Sequence, residues 1–297
     1  LDETFTLTLS NLVNAGARNV AIDTASNNDS AVVTITNDDD ALISISADQS
    51  QNEDSGQLTF TVTLSNAIDS AISVDVNSAD GTATQADSDY TQVAETLNFA
   101  AGETSKTFTV DLTSDSKVEL DETFTLALSN LINAGARNVA IDTASTNDSA
   151  VVTITNDDAA LVSISADQSQ NEDDAGLLTF TVTLSNELDS AISVDVNSAD
   201  GTATLADSDY SQVAETLNFA AGETTKTFTV DLISDSKVEL DETFTLTLSN
   251  LVNAGARNVA IDTASTNDSA VVTITNDDDA LVSISADQSL NEDSGQL

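Results

Sequence analysis

The chain has 297 residues, 51 of them acidic against 7 basic, for a formal net charge of -44. That excess excludes nucleic acid and anionic membrane surfaces as partners, because their phosphates repel it. The absence of Cys and His removes disulfides, thiolate and imidazole zinc sites and any Ser-His-Asp arrangement, and no apolar run approaches the roughly 18 residues needed to span a membrane.

Acidity can signal disorder, but 40% of the residues are hydrophobic and they recur at regular spacing. The segment LDETFTL begins at Leu1, Leu120 and Leu240, after 119 and then 120 residues. The extra residue comes where Ser55-Gly56 becomes Asp174-Ala175-Gly176. A period of this size is an independent domain and not a solenoid turn. The sequence divides into residues 1–40, the end of a preceding repeat; 41–158 and 159–278, two full repeats; and 279–297, the start of a following one. Leu1 falls in mid-repeat with no secretory leader before it, so the chain reads as a piece of a longer array.

In the first full repeat the predicted strands run in order from Ile43-Ser44-Ile45 through Leu58–Leu64, Ile72–Val76, Thr96–Phe99, Thr107–Leu112, Thr123–Leu128 and Val151–Thr155. Apolar residues alternate with Thr, Ser and Asp at period two, the pattern of half-buried antiparallel strands. Phe60, Val62, Leu64, Phe108, Val110, Phe124, Leu126, Val152 and Ile154 are the predicted core. Turn signals stand between the strands at 65–69, Asp80-Gly81, Ala101-Gly102 and Asn133-Ala134-Gly135. Seven short strands in about 118 residues predict an all-β chain of tandem immunoglobulin-like, seven-stranded antiparallel sandwiches. Asn156–Ala160 leaves no Pro- or Gly/Ser-rich spacer, which predicts that neighbouring repeats of the same chain touch.

The carboxylates gather at predicted strand ends: Glu53-Asp54, Asp87, Asp89, Asp115, Glu119, Asp121-Glu122 and Asp157-Asp158. Packed like charges need something to neutralise them. If these loops meet at one end of a sandwich, the set suits a hard cation such as calcium, which takes six to eight oxygen ligands. The other reading is solvated turn residues that accept hydrogen bonds from loop amides.

The combination Asp80-Gly-Thr-Ala83, Asp87-Ser-Asp89-Tyr90, Thr96–Phe99, Ala101–Thr104, Thr107–Val110, Asp121–Phe124 and Ala150–Ile154 with Asp157-Asp158 resembles the Calx-beta domain, and 200–278 repeats it. The resemblance covers nearly the whole chain. It implies a seven-stranded immunoglobulin-like sandwich and, in calcium-binding members, Ca2+ ions clustered at one end. The ligands it implies are Glu53, Asp89, Asp115, Glu119, Glu122, Asp157 and Asp158 in the first repeat. In the second they are Glu172, Asp209, Asp235, Glu239, Glu242, Asp277 and Asp278. Glu3, Asp38 and Asp39 belong to the leading half-repeat, and Glu292 to the trailing one. Two departures reduce the charge: the run Ser114-Asp115-Ser116 is less acidic than in the calcium-binding members, and Asn156 stands where they carry a third Asp.

The function expected is a structural, non-enzymatic array, in an extracellular fibre or cell-surface adhesin, stiffened by calcium near the repeat junctions. Partners are neighbouring repeats and, as a variant, other copies in a fibre. The alternatives are a ligand-recognising adhesin module, which predicts loops that vary between copies, and a calcium sensor or buffer. A glycosidase would need sugar-stacking aromatics beside its carboxylates, and only 4% of residues are aromatic with no Trp. The Asn-Asp-Ser triplets at Asn28, Asn147 and Asn267 fit the glycosylation pattern but read as polar turns.

Overall fold

A computed structural model describes residues 1–13, 16, 18–133, 137–174, 177–253, 255, 257–287 and 289. The predicted turn residues Ala134 and Gly135, the inserted Ala175 and Gly176, and Glu292 lie outside the described residues. The chain divides into two compact units, one of residues 1–114 with 121–155, the other of 115–120 with 156–297. No described helix is long and apolar enough to cross a membrane.

Unit 1 opens with an antiparallel pair, β1 (Glu3–Thr8) and β2 (Ser30–Ile35), whose side chains are almost all exposed. Its sandwich follows: β3 (Ala41–Ile45), β4 (Gln49–Asn52), β5 (Gln57–Leu64), β6 (Ile72–Asp80), β7 (Ala94–Phe99), β8 (Ser105–Asp111), β9 (Glu122–Asn133), β10 (Val139–Ile141) and β11 (Ser149–Thr155). One sheet has the order β10-β3-β5-β8 and the other β4-β11-β9-β6-β7. The seven predicted strands are all present, and β4 and β10 are added to them. The first strand breaks at Ser46–Asp48 and changes sheets, a standard way to close a sandwich corner. Each half then runs beside a strand of the same direction, so β3 with β10 and β4 with β11 pair parallel within otherwise antiparallel sheets.

Alternation puts one side of each strand inward. The burial of β5 follows it residue by residue, with Leu58, Phe60, Val62 and Leu64 inside and Gln57, Thr59 and Thr63 exposed. All nine predicted core residues are buried, each contributing about 2 kcal/mol through the apolar area it removes from water. Phe60 stacks on Phe108, and Tyr90 lies flat on Phe124 with ring centroids 3.8 Å apart. Gly81 is required by closeness of backbones: a Cβ there would stand 2.3 Å from the Thr123 carbonyl oxygen.

Unit 2 repeats the design with β12 (Ala160–Ile164), β13 (Gln168–Asn171), β14 (Leu178–Leu184), β15 (Ile192–Asp200), β16 (Ala214–Phe219), β17 (Thr225–Val230), β18 (Glu242–Asn253), β19 (Val259–Ile261) and β20 (Ser269–Thr275). Its sheets are β17-β14-β12-β19 and β13-β20-β18-β15-β16. Its core also takes in Val118. Among the described residues after Asp278 no strand forms, and Leu281, Val282 and Ile284 stand exposed.

Candidate metal centre

Three strand ends of unit 2 converge. β13 runs parallel to β20, with Asn171 opposite Thr275, so the residue after each strand leaves the sheet at the same end. Glu172 therefore starts its turn beside the Asn276–Asp278 tail, its N–H donating to the Thr275 carbonyl. Glu242, the first residue of β18, pairs with Ile274. Asp209 comes from the loop between β15 and β16. Its carboxylate accepts the Thr204 N–H at 2.6 Å and its carbonyl accepts the Ile233 N–H at 3.0 Å. Asp235 accepts the Lys237 N–H at 2.7 Å, a tight turn that holds Glu239 and its segment in place.

The result is two carboxylate trios, Glu172 with Asp235 and Asp278, and Asp209 with Glu239 and Glu242. In each, one oxygen from every member lies within 4.8 Å of the others. Two oxygens on opposite sides of one calcium ion are about 4.6–5.2 Å apart, so a single ion can reach a whole trio. A small cavity of about 10 Å³ is lined by Glu172, Asp209, Glu239 and Glu242, with Leu240, Ile274 and Asn276, and so adjoins both trios.

The electrostatics are unfavourable without a cation. Burial pushes the Glu172 carboxyl above its usual range, and the charges of Asp235, Asp278, Asp277 and Glu239 push the same way. Glu242 is raised by burial and then by Asp209 and Glu239, with Lys237 opposing. Asp278 is raised by burial and then by Asp173, Asp277 and Asp235. Glu172 Oε1 and Asp278 Oδ2 are buried with no hydrogen-bond partner. A buried carboxylate oxygen left without a donor is costly, and a bound cation removes that cost. The donor set, hard oxygens with neither sulfur nor imidazole, fits calcium or magnesium.

Six of the seven ligands expected in the second repeat thus belong to a trio. Asp277 is exposed and belongs to neither, though its charge helps to raise Glu172 and Asp278. In the first repeat Glu53 opens the turn after β4 and is buried, Asp89 accepts the Thr84 N–H at 2.6 Å, and Glu122 begins β9. Asp115, Glu119, Asp157 and Asp158 of that repeat are counted with unit 2. Glu3 is exposed on β1, and Asp38 and Asp39 are exposed after β2. These three join no such trio among the described residues.

Sequence reasoning missed the supports. Asn276 accepts the Glu239 N–H at 2.8 Å and donates to the Asp278 carbonyl at 3.0 Å. Lys237 forms an ion pair with Glu239. Asn276 had a signal, as the amide in place of a third Asp, while nothing in the sequence set Lys237 apart.

The Calx-beta domain model matches residues 36–158 and again 155–278. The chain belongs to the Calx-beta family. Among curated proteins none matches it. Similar solved Calx-beta structures include CBD12 from CALX1.2, at 19% identity over 76% of this chain and 96% of that one, with a TM-score of 0.36. Another is the apo form of the Calx CBD1 domain, at 24% identity over 40% of this chain and 100% of that one, also with a TM-score of 0.36. A two-domain protein of unknown function from Bacteroides fragilis matches at 11% identity over 80% of this chain and 93% of that one, with a TM-score of 0.30.

Proposed function

We propose that this chain is a calcium-stiffened, non-catalytic stretch of a Calx-beta array in an extracellular fibre or cell-surface adhesin, with repeats at 41–158 and 159–278. The observation that carries the reading is the pair of buried, unpartnered oxygens, Glu172 Oε1 and Asp278 Oδ2, inside a carboxylate trio. Calcium bound there supplies the positive charge that the loops lack. Glu172, Asp209, Asp235, Glu239, Glu242 and Asp278 hold it, and Asp277 adds to the field that attracts it. Glu53, Asp89, Asp115, Glu119, Glu122, Asp157 and Asp158 are the same residue types at the matching positions of the first repeat.

These ligands come from four separate segments of one sandwich, so an ion that binds them ties together loops that otherwise repel. Asp277 and Asp278 fall where the second repeat ends, and Asp157 and Asp158 where the first does, which puts carboxylates at each repeat boundary in the sequence. Extracellular modules hold calcium at about 10⁻⁴–10⁻³ M, weak enough for the array to stay loose in ion-poor cytoplasm and to stiffen outside. The near-identity of the loops between copies suits a spacer better than a recognition surface.

The test is calorimetric titration with calcium of the chain and of the variant Glu172→Gln/Asp278→Asn. Binding that loses its second-repeat component in the variant supports the reading. Equal heats in both, or none in either, overturn it.

A further inference from the structure

By its place in the sequence period Val118 belongs to the first repeat, yet its side chain lies in the core of unit 2. The chain passes into unit 2 at Asp115, returns to unit 1 at Asp121 and enters unit 2 again at Asn156. The excursion Asp115–Leu120 acts in unit 2 as an added strap. The Val118 N–H donates to the Glu187 carbonyl at 2.8 Å, and the Asp189 N–H donates to the Val118 carbonyl at 3.3 Å. This is a parallel bridge between Val118 and Leu188, whose side chains are 0% and 2% exposed. The Glu119 N–H donates to Asn156 Oδ1 at 2.9 Å, which pins the strap beside the segment that leads into β12. Arg257, ion-paired with Asp189, also feels the charge of Glu119.

The strap is suited to this edge by its residue order. In Lys117-Val118-Glu119 one apolar side chain stands between two charges. Extended backbone sends alternate side chains to opposite sides, so Val118 is buried while Lys117 and Glu119 stay on the other side as an ion pair. Both halves of the contact recur in the sequence. Ser114–Leu126 is identical to Ser234–Leu246, and Ile68, Asp69 and Arg137 are the counterparts of Leu188, Asp189 and Arg257.

We propose that the edge at Glu187–Asp189 is a docking site for the Lys117–Leu120 strap of the preceding repeat, and that the second repeat reaches its full stability only with that strap in place. What a repeat recognises in its N-terminal neighbour is then an apolar plug, two backbone bonds and a carboxylate that complements Arg257. The apolar area of Val118 leaves water in unit 2. Its loss leaves a cavity beside Leu188, and loss of the strap leaves the Glu187 carbonyl and the Asp189 N–H without this partner. Because donor and acceptor are different surfaces, each repeat is able to hold one strap and give another. The stability of the array then contains a nearest-neighbour contribution at each repeat boundary besides the contribution of each repeat.

The docking needs no metal, so its test is run in chelator, and failure of the metal reading leaves it standing. The chain has one tyrosine in each core, Tyr90 and Tyr210, and no Trp, so tyrosine fluorescence follows each unit by itself. In the full chain Tyr90→Phe leaves Tyr210 to report unit 2, and Tyr210→Phe leaves Tyr90 to report unit 1. Denaturant midpoints are then compared with and without a change in the strap. Val118→Ala should lower the Tyr210 midpoint and move the Tyr90 midpoint less. Val118→Thr, which keeps the shape and buries a hydroxyl, should act in the same direction. Val238→Ala, the same change inside the second repeat at a side chain 51% exposed, is the control and should leave the Tyr210 midpoint in place. The proposal is overturned if Val118→Ala leaves the Tyr210 midpoint unmoved, if it lowers the Tyr90 midpoint as far, or if Val238→Ala lowers the Tyr210 midpoint as far as Val118→Ala does.

Discussion

The side-chain Oδ1 of Asn276 accepts the backbone N–H of Glu239 at 2.8 Å. The other end of the amide is also in use, with Nδ2 donating to the Asp278 carbonyl at 3.0 Å. An aspartate keeps the first bond and loses the second, because a carboxylate cannot donate. Asn276→Asp should therefore lower the melting temperature in chelator, by the equivalent of about 1–3 kcal/mol for the carbonyl left facing an acceptor. It should also tighten calcium binding, since affinity at such sites rises with ligand charge. Melting in chelator and calcium titration of the single variant check both halves.

Glu172→Gln tests the buried oxygen directly. The amide is nearly isosteric and removes a charge that burial and four neighbouring carboxylates disfavour. In chelator the variant should melt higher than the native chain, and in saturating calcium it should melt lower. Crossing of the two melting orders on adding calcium is the signature. A variant less stable under both conditions would mean that Glu172 serves packing and not a cation.

The pH dependence follows from the same groups. Glu172 and Glu242 are raised above 4.5 and Asp278 above 3.8 in the folded chain, so between those values and the raised ones the folded state binds more protons than the unfolded. Stability then falls as pH rises through that window. Metal-free chain should be more stable in mildly acid buffer than at neutral pH. Calcium should reverse the trend, because it competes with protons for the same oxygens. Denaturant midpoints measured across pH, with and without calcium, read this out.

Tyr210 offers a prediction away from the metal centre. Its hydroxyl donates to Asp200 Oδ1 at 2.6 Å, and its pKa is pushed up to about 12, first by burial and then by that aspartate. Tyr90 is raised in the same way by burial and Asp80. These are the two tyrosines of the chain, so alkaline absorbance titration should show no phenolate forming near the ordinary value of 10. Tyr210→Phe keeps the ring on Phe244 and loses a hydrogen bond to a charged group, about 1.5–3 kcal/mol, read as a lower denaturant midpoint.

The strands were legible where apolar residues alternate with Thr. β5 and β14 show the pattern most plainly, and every core residue drawn from it is buried. β4 was not legible: Gln49-Ser-Gln-Asn52 contains no apolar residue, and it is a strand only because β11 lies beside it. β10 is three residues long, too short for a period to show. At the site, the residue types and their strand-end positions could be read, but not the division into two trios, which depends on which loops meet. Asp277 and Asp278 look alike in sequence, yet one oxygen of Asp278 is turned inward while Asp277 faces solvent. Glu3, Asp38 and Asp39 have the same residue types at matching positions, yet they join no trio among the described residues. Val118 was unreadable as a core residue, because an apolar residue between Lys117 and Glu119 in a loop carries no period.

Calcium binding to the acidic trios is read out by thermal melting of the whole chain, first in chelator and then across a calcium titration. The melting temperature should climb with calcium concentration and continue to climb past the dissociation constant, as linkage requires of a ligand that binds only the folded state. A melting temperature unchanged from chelator to millimolar calcium would contradict it, and would leave Glu172, Asp235 and Asp278 as a carboxylate trio that holds no cation.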